Sequence, residues 1–308
     1  MTHDSRLSLE DLRGSASRRR REAVIRTTFF VAATLAIVIS IAIVLSLLGD
    51  TITFLRGIDP SSLLADVWQP RNAEYGVATL ISGTLVIALM AMVVATPLGL
   101  GAAIYLSEYA SPRMRAWLKP IIEILATIPS VVLGFFALTV LSPALVQPLC
   151  GNSLPFTLAS AGIAVGILVT PLVASISEDA LYAVPQNLRE ASYGLGATKR
   201  TTSLRVVVPA AVSGIVASLI VAFSRALGET MIVAIAAGGV GGAVFSINPC
   251  LPGQTMTGAM TVIAIGSDAV GGGVAFNSLF FIGLLLFIMT LALNTVSEMF
   301  VRRMRKGY

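Results

Sequence analysis

Residues Thr27 to Leu48 read TTFFVAATLAIVISIAIVLSLL, 22 consecutive positions without a charge. At 1.5 Å per residue, a helix of that length crosses the roughly 30 Å hydrocarbon core of a bilayer. Inside that core every backbone N–H and C=O must be satisfied within the segment, so the run has to be helical. A secretory signal has a shorter apolar stretch of about 7–15 residues and a small-residue cleavage site, so this run reads as a retained first span. Further apolar runs lie at about 76–106, 121–141, 157–176, 209–238 and 275–300, which makes six crossings. Charged residues form 12% of the 308-residue chain, about half their usual share in soluble domains. The expected fold is all-α, a polytopic membrane protein with six transmembrane helices.

The chain divides accordingly. Residues 1–26 form a basic tail, 27–48 the first span and 49–75 a polar outer segment; 76–300 form a five-helix core with a polar loop at 177–208, and 301–308 a second basic tail. The run at 76–106 is too long for one straight crossing, and Pro97 within ATPLGLG is expected to kink it or carry it beyond the bilayer. Pro171 is read as a second kink, and Glu123 as an interfacial residue opening the third span. The stretch 239–274 is rich in Gly and Thr, and both a course along the interface and a dip into the bundle fit it.

The positive charges give the orientation. Of 21 Lys and Arg, 18 lie on one side: 7 in the first tail, 3 in 107–120, 4 in 177–208 and 4 in the last tail. Arg56 and Arg71 lie opposite, and Arg225 falls inside a span. Basic loops stay in the cytoplasm, so both termini are expected there. The net charge of +5, with its run Arg18-Arg19-Arg20-Arg21, then serves topology and lipid headgroups, with no nucleic acid implied.

Composition also removes chemistry. The single histidine, His3, lies in a polar tail, and two cysteines are too few for a metal cage. Cys150 and Cys250 share the outer side, where a disulfide and free thiols are both compatible with the sequence. No G-x-x-x-x-G-K-[ST] loop is present; GLGATKR at 194–200 lacks the spacing needed to cradle nucleotide phosphates. The chain is therefore expected to be no enzyme and to bind no metal or cofactor of its own.

The polar stretch REASYGLGATKRTTSLRVVVP contradicts its greasy surroundings. Asn187 to Tyr193 reads as a short helix, Gly194 and Gly196 permit a tight turn, and a second helical piece runs to Pro209. Short helices joined at glycine make a compact knob suited to a cleft in a soluble partner, and a loop of this size also fits a plain connector. Glu190-Ala191-Ser192, three residues, Gly196, nine residues and Val206-Val207-Val208-Pro209 resemble the motif of ATP-binding-cassette importer permeases. That motif reads Glu-Ala-Ala, three residues, Gly, nine residues, Ile-x-Leu-Pro, and lies in the cytoplasmic loop before the penultimate helix. Ser192 replaces the second Ala, and Val206 and Val208 replace Ile and Leu, while the spacing is intact. GAAIYLSEYA (101–110), IPSVVLGF (128–135) and RALGETM (225–231) resemble phosphate importer permeases, more closely the first of their two paralogous subunits.

The resemblance covers about 27–303 and implies the type I importer permease fold. It also implies a paralogous six-helix permease as partner, two ATP-binding-cassette ATPases that hold ATP and Mg, and an extracytoplasmic phosphate-binding protein, in a bacterial plasma membrane. The loop bearing Glu190, Ala191, Ser192, Gly194 and Gly196 would be the ATPase-coupling helix.

Arg225 and Glu229 are ionisable residues inside the fifth span. Four residues apart on one helix, they are expected to pair. A central arginine costs at least about 2.5–3.5 kcal/mol on insertion scales, so it should face the bundle interior or a wet passage. As a brace the pair fixes helix packing. As a translocation site, Arg225 meets the anion with its planar guanidinium, with Glu229 and Thr230 beside it, and the resemblance favours this reading. Permeases for another oxyanion or an amino acid remain in the same class. A secondary transporter would need ion-coupling carboxylates and often inverted repeats, and a membrane enzyme a catalytic cluster; neither is visible.

Overall fold

The computed structural model describes residues 16–239, 243–266 and 273–305. Residues 1–15 and 306–308, with parts of 239–274, lie outside them. The chain divides into two units, Met1–Gly49 and Asp50–Tyr308. In the first, the described residues belong to one helix, α1 (Ala16–Gly57), which extends at both ends past the apolar run. Phe29, Phe30, Ile37 and Ile43 are all exposed along it, as suits a helix that is apolar all round and bathed in lipid.

The second unit is the bundle. Its apolar helices are α2 (Val77–Ile104), with a π-helical turn to Tyr109; the third span, Ser130–Cys150; α6 (Leu158–Tyr182); and the C-terminal helix, Val274–Arg305. With α1 they make five long apolar helices among the described residues, and one further crossing, the fifth in chain order, contains α10 (Val212–Leu227), bent by 69° from the stretch Lys199–Ala210 before it. The third span is built from α4 (Ser130–Phe136), a π-helical stretch Ala137–Val146 and α5 (Gln147–Cys150). Pro143 lies within that stretch and has no N–H to give an α-helical ladder, a usual cause of such a wide turn.

The third span therefore starts nine residues later than 121–141 suggests. Residues up to Leu125 form a separate amphipathic helix, α3 (Pro112–Leu125), and a turn ending at Pro129 divides it from α4. The residue before a proline avoids the helical region, so the continuous apolar character of 121–141 hides a real boundary.

The core is the seam between α2 and α6. Ala88, Ala91, Ala95, Ala161 and Ala164 are buried there, and small residues let the two backbones approach, as van der Waals packing in lipid demands. At Gly166 an added Cβ would lie 2.7 Å from the Val94 Cβ and 2.8 Å from the Ala91 carbonyl oxygen.

The outer segment is not all helix. Strands β1 (Val67–Gln69), β2 (Glu74–Tyr75) and β3 (Ala243–Val244) form a three-stranded antiparallel sheet in the order β2-β1-β3. It is held by aromatic contacts of Phe54, Trp68 and Tyr75, with ring centroids 5.0 and 5.8 Å apart. Of the stretch 239–274, left open by its sequence, the described residues from Gly253 through Ile265 dip into the bundle. The Gly253 N–H donates to the Ala237 carbonyl at 3.0 Å, and the Met256 N–H at the start of α12 (Met256–Ile265) donates to Thr84 Oγ1 at 3.1 Å.

The seam makes a direct prediction. Gly166→Ala should cost about 1–3 kcal/mol by overpacking, whereas Gly101→Ala, with nothing within 4 Å of the new carbon, should be neutral or stabilising by about 0.5–1 kcal/mol. Thermal unfolding in detergent of the two variants beside the parent checks it.

Candidate functional site: an anchored polar knob and an interrupted fifth span

The sequence-singled loop forms a knob of two short helices. The first, α7 (Gln186–Gly194), starts after Pro185, and the second, α8 (Lys199–Thr202), is capped by Thr198, whose hydroxyl accepts from the Thr201 N–H. Between them Gly196 takes φ +80°, the left-handed region that glycine enters without penalty. Gly194 ends α7 in helical conformation, so the turn depends on Gly196 alone. Ser192, the departure from the Glu-Ala-Ala pattern, shares a 2.8 Å hydrogen bond with the Thr202 hydroxyl and thereby ties the two helices together.

Beneath the knob lies a group that no motif identified. Arg189 is buried, and its Nη2 donates to Glu108 Oε1 at 2.8 Å and to the Leu181 carbonyl at 2.9 Å. Its Nη1 donates to the Val184 carbonyl at 2.6 Å. One guanidinium thus joins the end of α2, through Glu108, to the Leu181 carbonyl in the last turn of α6 and the Val184 carbonyl just beyond it. Lys199 adds a second contact, its Nζ standing 5.2 Å from the Tyr109 ring centroid. Glu190 and Ala191 are exposed on the other side. Leu188, Ala191 and Leu195 follow helical spacing there, and Leu195 is 90% exposed. An apolar, acid-flanked surface on a rigid mount is suited to seat in a soluble protein.

A second clip holds α3 to α6. The Glu178 carboxylate is fully buried and ion-pairs with Arg115 and, at 2.8 Å, with Lys119, which also meets Asp179 at 2.7 Å. Arg115 stacks 3.8 Å above the Tyr182 ring centroid. Hydrogen bonds to Asp179, then to Glu178, hold the Lys119 ammonium above its ordinary range. Its stabilising contribution is therefore complete at neutral pH and lost only as pH rises through that raised value.

The fifth crossing is interrupted. Helix α10 stops at Leu227, and a six-residue helix, α11 (Met231–Ala236), starts after Thr230. Ser218 and Ser177 meet at 2.6 Å, and the Thr157 N–H donates to the Ala236 carbonyl at 3.1 Å, so α10 and α11 together run antiparallel to α6. Seven residues beyond Ser218, Arg225 is level with residue 170, the midpoint of α6.

The expected Arg225–Glu229 pair is absent among the described residues. The helix ends between the two, so four-residue spacing no longer places them on one face. Arg225 shares the exposed face of α10 with Val221 and Gly228. Glu229 is buried; its Oε1 accepts from the Ile232 N–H at 3.5 Å in the first turn of α11, where free N–H groups suit a carboxylate. The Glu229 carbonyl accepts from Thr257 Oγ1 at 2.7 Å, so the dipping segment braces the break. Thr230 Oγ1 donates to the Gly228 carbonyl at 3.2 Å, inside the break itself.

Cys150 and Cys250 form a disulfide with Cα atoms 5.6 Å apart. It fastens the end of the third span to the segment whose Pro249 and Leu251 carbonyls accept from Ala159 and Leu158 at the start of α6. Among the described residues no group of three or more His, Cys, Asp or Glu could hold a metal.

Breaking the buried Arg189–Glu108 pair on one side should cost about 3–5 kcal/mol, because the partner charge is left buried. Arg189→Ala should unfold at clearly lower temperature than Glu190→Ala, whose side chain is exposed; calorimetry of the purified variants reads the difference.

Residues 95–306 match the family model described as "Binding-protein-dependent transport system inner membrane component". The chain is 32% identical over 256 residues to the "Probable ABC transporter permease protein YqgH" of Bacillus subtilis (strain 168), covering 82% of this chain and 81% of that one. It is 30% identical over 300 residues to the phosphate transport system permease protein PstC of Mesorhizobium japonicum, covering 92% and 90%. Among solved structures, a bacterial ABC transporter involved in the import of the acidic polysaccharide alginate aligns with TM-score 0.63 at 14% identity, over 92% of this chain and 99% of that one, a likeness of fold alone.

Proposed function

The chain belongs to the family of binding-protein-dependent transport system inner membrane components, and from that premise we propose that it is a permease subunit of an ATP-driven phosphate importer. In this reading it pairs with a paralogous six-helix permease, two ATPase subunits dock on the basic side, and an extracytoplasmic binding protein delivers phosphate to the other. Both termini and the knob face the cytoplasm, as the distribution of Lys and Arg supports. The chain binds no cofactor of its own; ATP and Mg belong to the ATPase partners.

The observation that carries the reading is the knob: a surface of Leu188, Glu190, Ala191 and Leu195 mounted on α2 and α6 through buried Arg189. A displacement of the docked ATPase is passed to two span ends without slack, because Arg189 has no free rotamer while its bonds are made. The passage is assigned to the exposed face of α10. Arg225 stands at mid-depth with its guanidinium unpaired among the described residues, free to take two phosphate oxygens at once. Glu229, turned away into the first turn of α11, does not neutralise it. Thr230 lies at the same break and serves as the neighbouring polar group. A phosphate anion needs such a charge to enter and a single one to leave. That requirement favours phosphate or a like oxyanion over an uncharged solute, and the similarity to PstC, a phosphate permease by name, favours phosphate among them.

The experiment is uptake of radiolabelled phosphate by proteoliposomes holding the assembled transporter, with the binding protein added on the outside and ATP enclosed. Uptake should require both additions. Arg225→Gln should lower it at least tenfold with the complex still assembled, while Glu190→Lys should leave the chain inserted but reduce ATPase recovery in pull-down. Uptake at the parent rate in both variants would refute the assignment of the passage and of the coupling surface.

A further inference from the structure

Helix α3 has an apolar face that no described residue of the bundle covers. Met114, Trp117, Ile121 and Ile124 recur at spacings of three and four, so they line one side of the helix. All four are exposed, Trp117 at 75% and Ile124 at 64%. The opposite side carries Arg115, Leu118, Lys119 and Ile122, which are half-buried against α6 and clipped there by the Glu178 and Asp179 carboxylates. Glu123 occupies the third side with Pro120 and Ala116. Arg113, exposed at the first turn, stands four residues before Trp117 and beside the apolar stripe.

Both ends of α3 are tethered. Two residues separate it from the π-helical end of the second span at Tyr109, and four separate Leu125 from Ser130 at the start of the third. A 14-residue helix about 21 Å long, fixed at each end to a span terminus, must lie along the membrane surface. Val132, Phe135 and Phe136 of the next helix are exposed as well.

We propose that α3 is an interfacial helix that seats Met114, Trp117, Ile121 and Ile124 at the headgroup–acyl boundary of the phospholipid leaflet on the basic side and sets Arg113 against the lipid phosphates. A narrow apolar stripe, a tryptophan on it and a basic residue at its border are what such a boundary selects, burying the helix about 5–10 Å deep. The covalent tethers fix the helix at that level, and the Glu178 clip turns the remaining face toward lipid. The helix is thereby a lipid-anchored strut on α6, one turn from Leu181, whose carbonyl holds Arg189. This placement rests on the membrane reading of the chain and not on its substrate, so loss of phosphate specificity would leave it standing.

The chain has two tryptophans, and Trp68 is 1% exposed in the outer segment, so Trp117 is the natural reporter. The assembled transporter is placed in nanodiscs of ordinary or chain-brominated phospholipid, and the fluorescence lost to bromine is compared between the parent and Trp117→Phe. The difference isolates Trp117 from every other tryptophan in the complex. A brominated-lipid component that disappears in Trp117→Phe is the expected result. Nitroxide labels at Ile121→Cys and Glu123→Cys give an independent measurement, since the native cysteines are bonded to each other. Position 121 should collide with oxygen and be shielded from an aqueous nickel reagent, and position 123 should show the reverse. No Trp117 component, together with a label at 121 open to the nickel reagent, would overturn the proposal in favour of a water-exposed helix. A label at 121 shielded from both agents would overturn it in favour of coverage by another subunit.

Discussion

A single guanidinium sets the mechanical character of this protein. Arg189 lies where the last turn of α6, the end of α2 and the first turn of the knob converge, and it bonds to two carbonyls and a buried carboxylate. Without it the Val184 carbonyl would lose its 2.6 Å hydrogen bond and the buried Glu108 carboxylate its ion pair, costing about 1–3 kcal/mol for the carbonyl and more for the charge. The knob therefore cannot tilt on the bundle without breaking several hydrogen bonds together. Its outward surface, by contrast, with Glu190, Ala191 and Leu195, is exposed. Rigid below and unsatisfied above is the arrangement a lever requires.

The interrupted fifth span shows the complementary case. A continuous helix through Leu227, Gly228 and Glu229 would have matched Arg225 with Glu229 and neutralised both at mid-depth. Ending the helix at Leu227 sends the carboxylate to the first N–H groups of α11 and leaves the guanidinium on an open face. The break is held from outside the helix by Thr257, delivered by the dipping segment, and that segment is itself pinned by the disulfide to Cys150. The guanidinium proposed to meet the anion is thus kept apart from Glu229 by hydrogen bonds two elements away.

Much of this was legible in the sequence, and the remainder was hidden for identifiable reasons. Six apolar runs gave six crossings, and the spacing around Glu190 located the knob, because both signals are periodic and local. The Arg189–Glu108 contact spans 81 positions; an arginine next to a motif and a glutamate ending an apolar run carry no mark of one another. The sequence alone leaves most of α3 in a basic loop and merges its end, 121–125, with the third span, because those apolar residues, taken without their phase, resemble the run after them. The error at Arg225 and Glu229 has a different origin. Four-residue spacing implies a pair only while the helix continues, and Gly228 followed by Glu and Thr was the available sign that it does not. The strands of the outer sheet have two or three residues, too few for an alternation to show.

The most direct test of the lever is a distance measurement within the assembled transporter. Spin labels at Leu195 on the knob and at Gly101 on α2, where nothing lies within 4 Å of an added side chain, report whether knob and span move as one body. The 195–101 distance should stay the same with and without ATP, while the distance from 195 to a label in the docked ATPase changes. In Arg189→Ala the 195–101 distance should broaden and become dependent on nucleotide. A nucleotide-dependent 195–101 distance in the parent protein would contradict the account, because the knob would then be moving on its mount instead of with it.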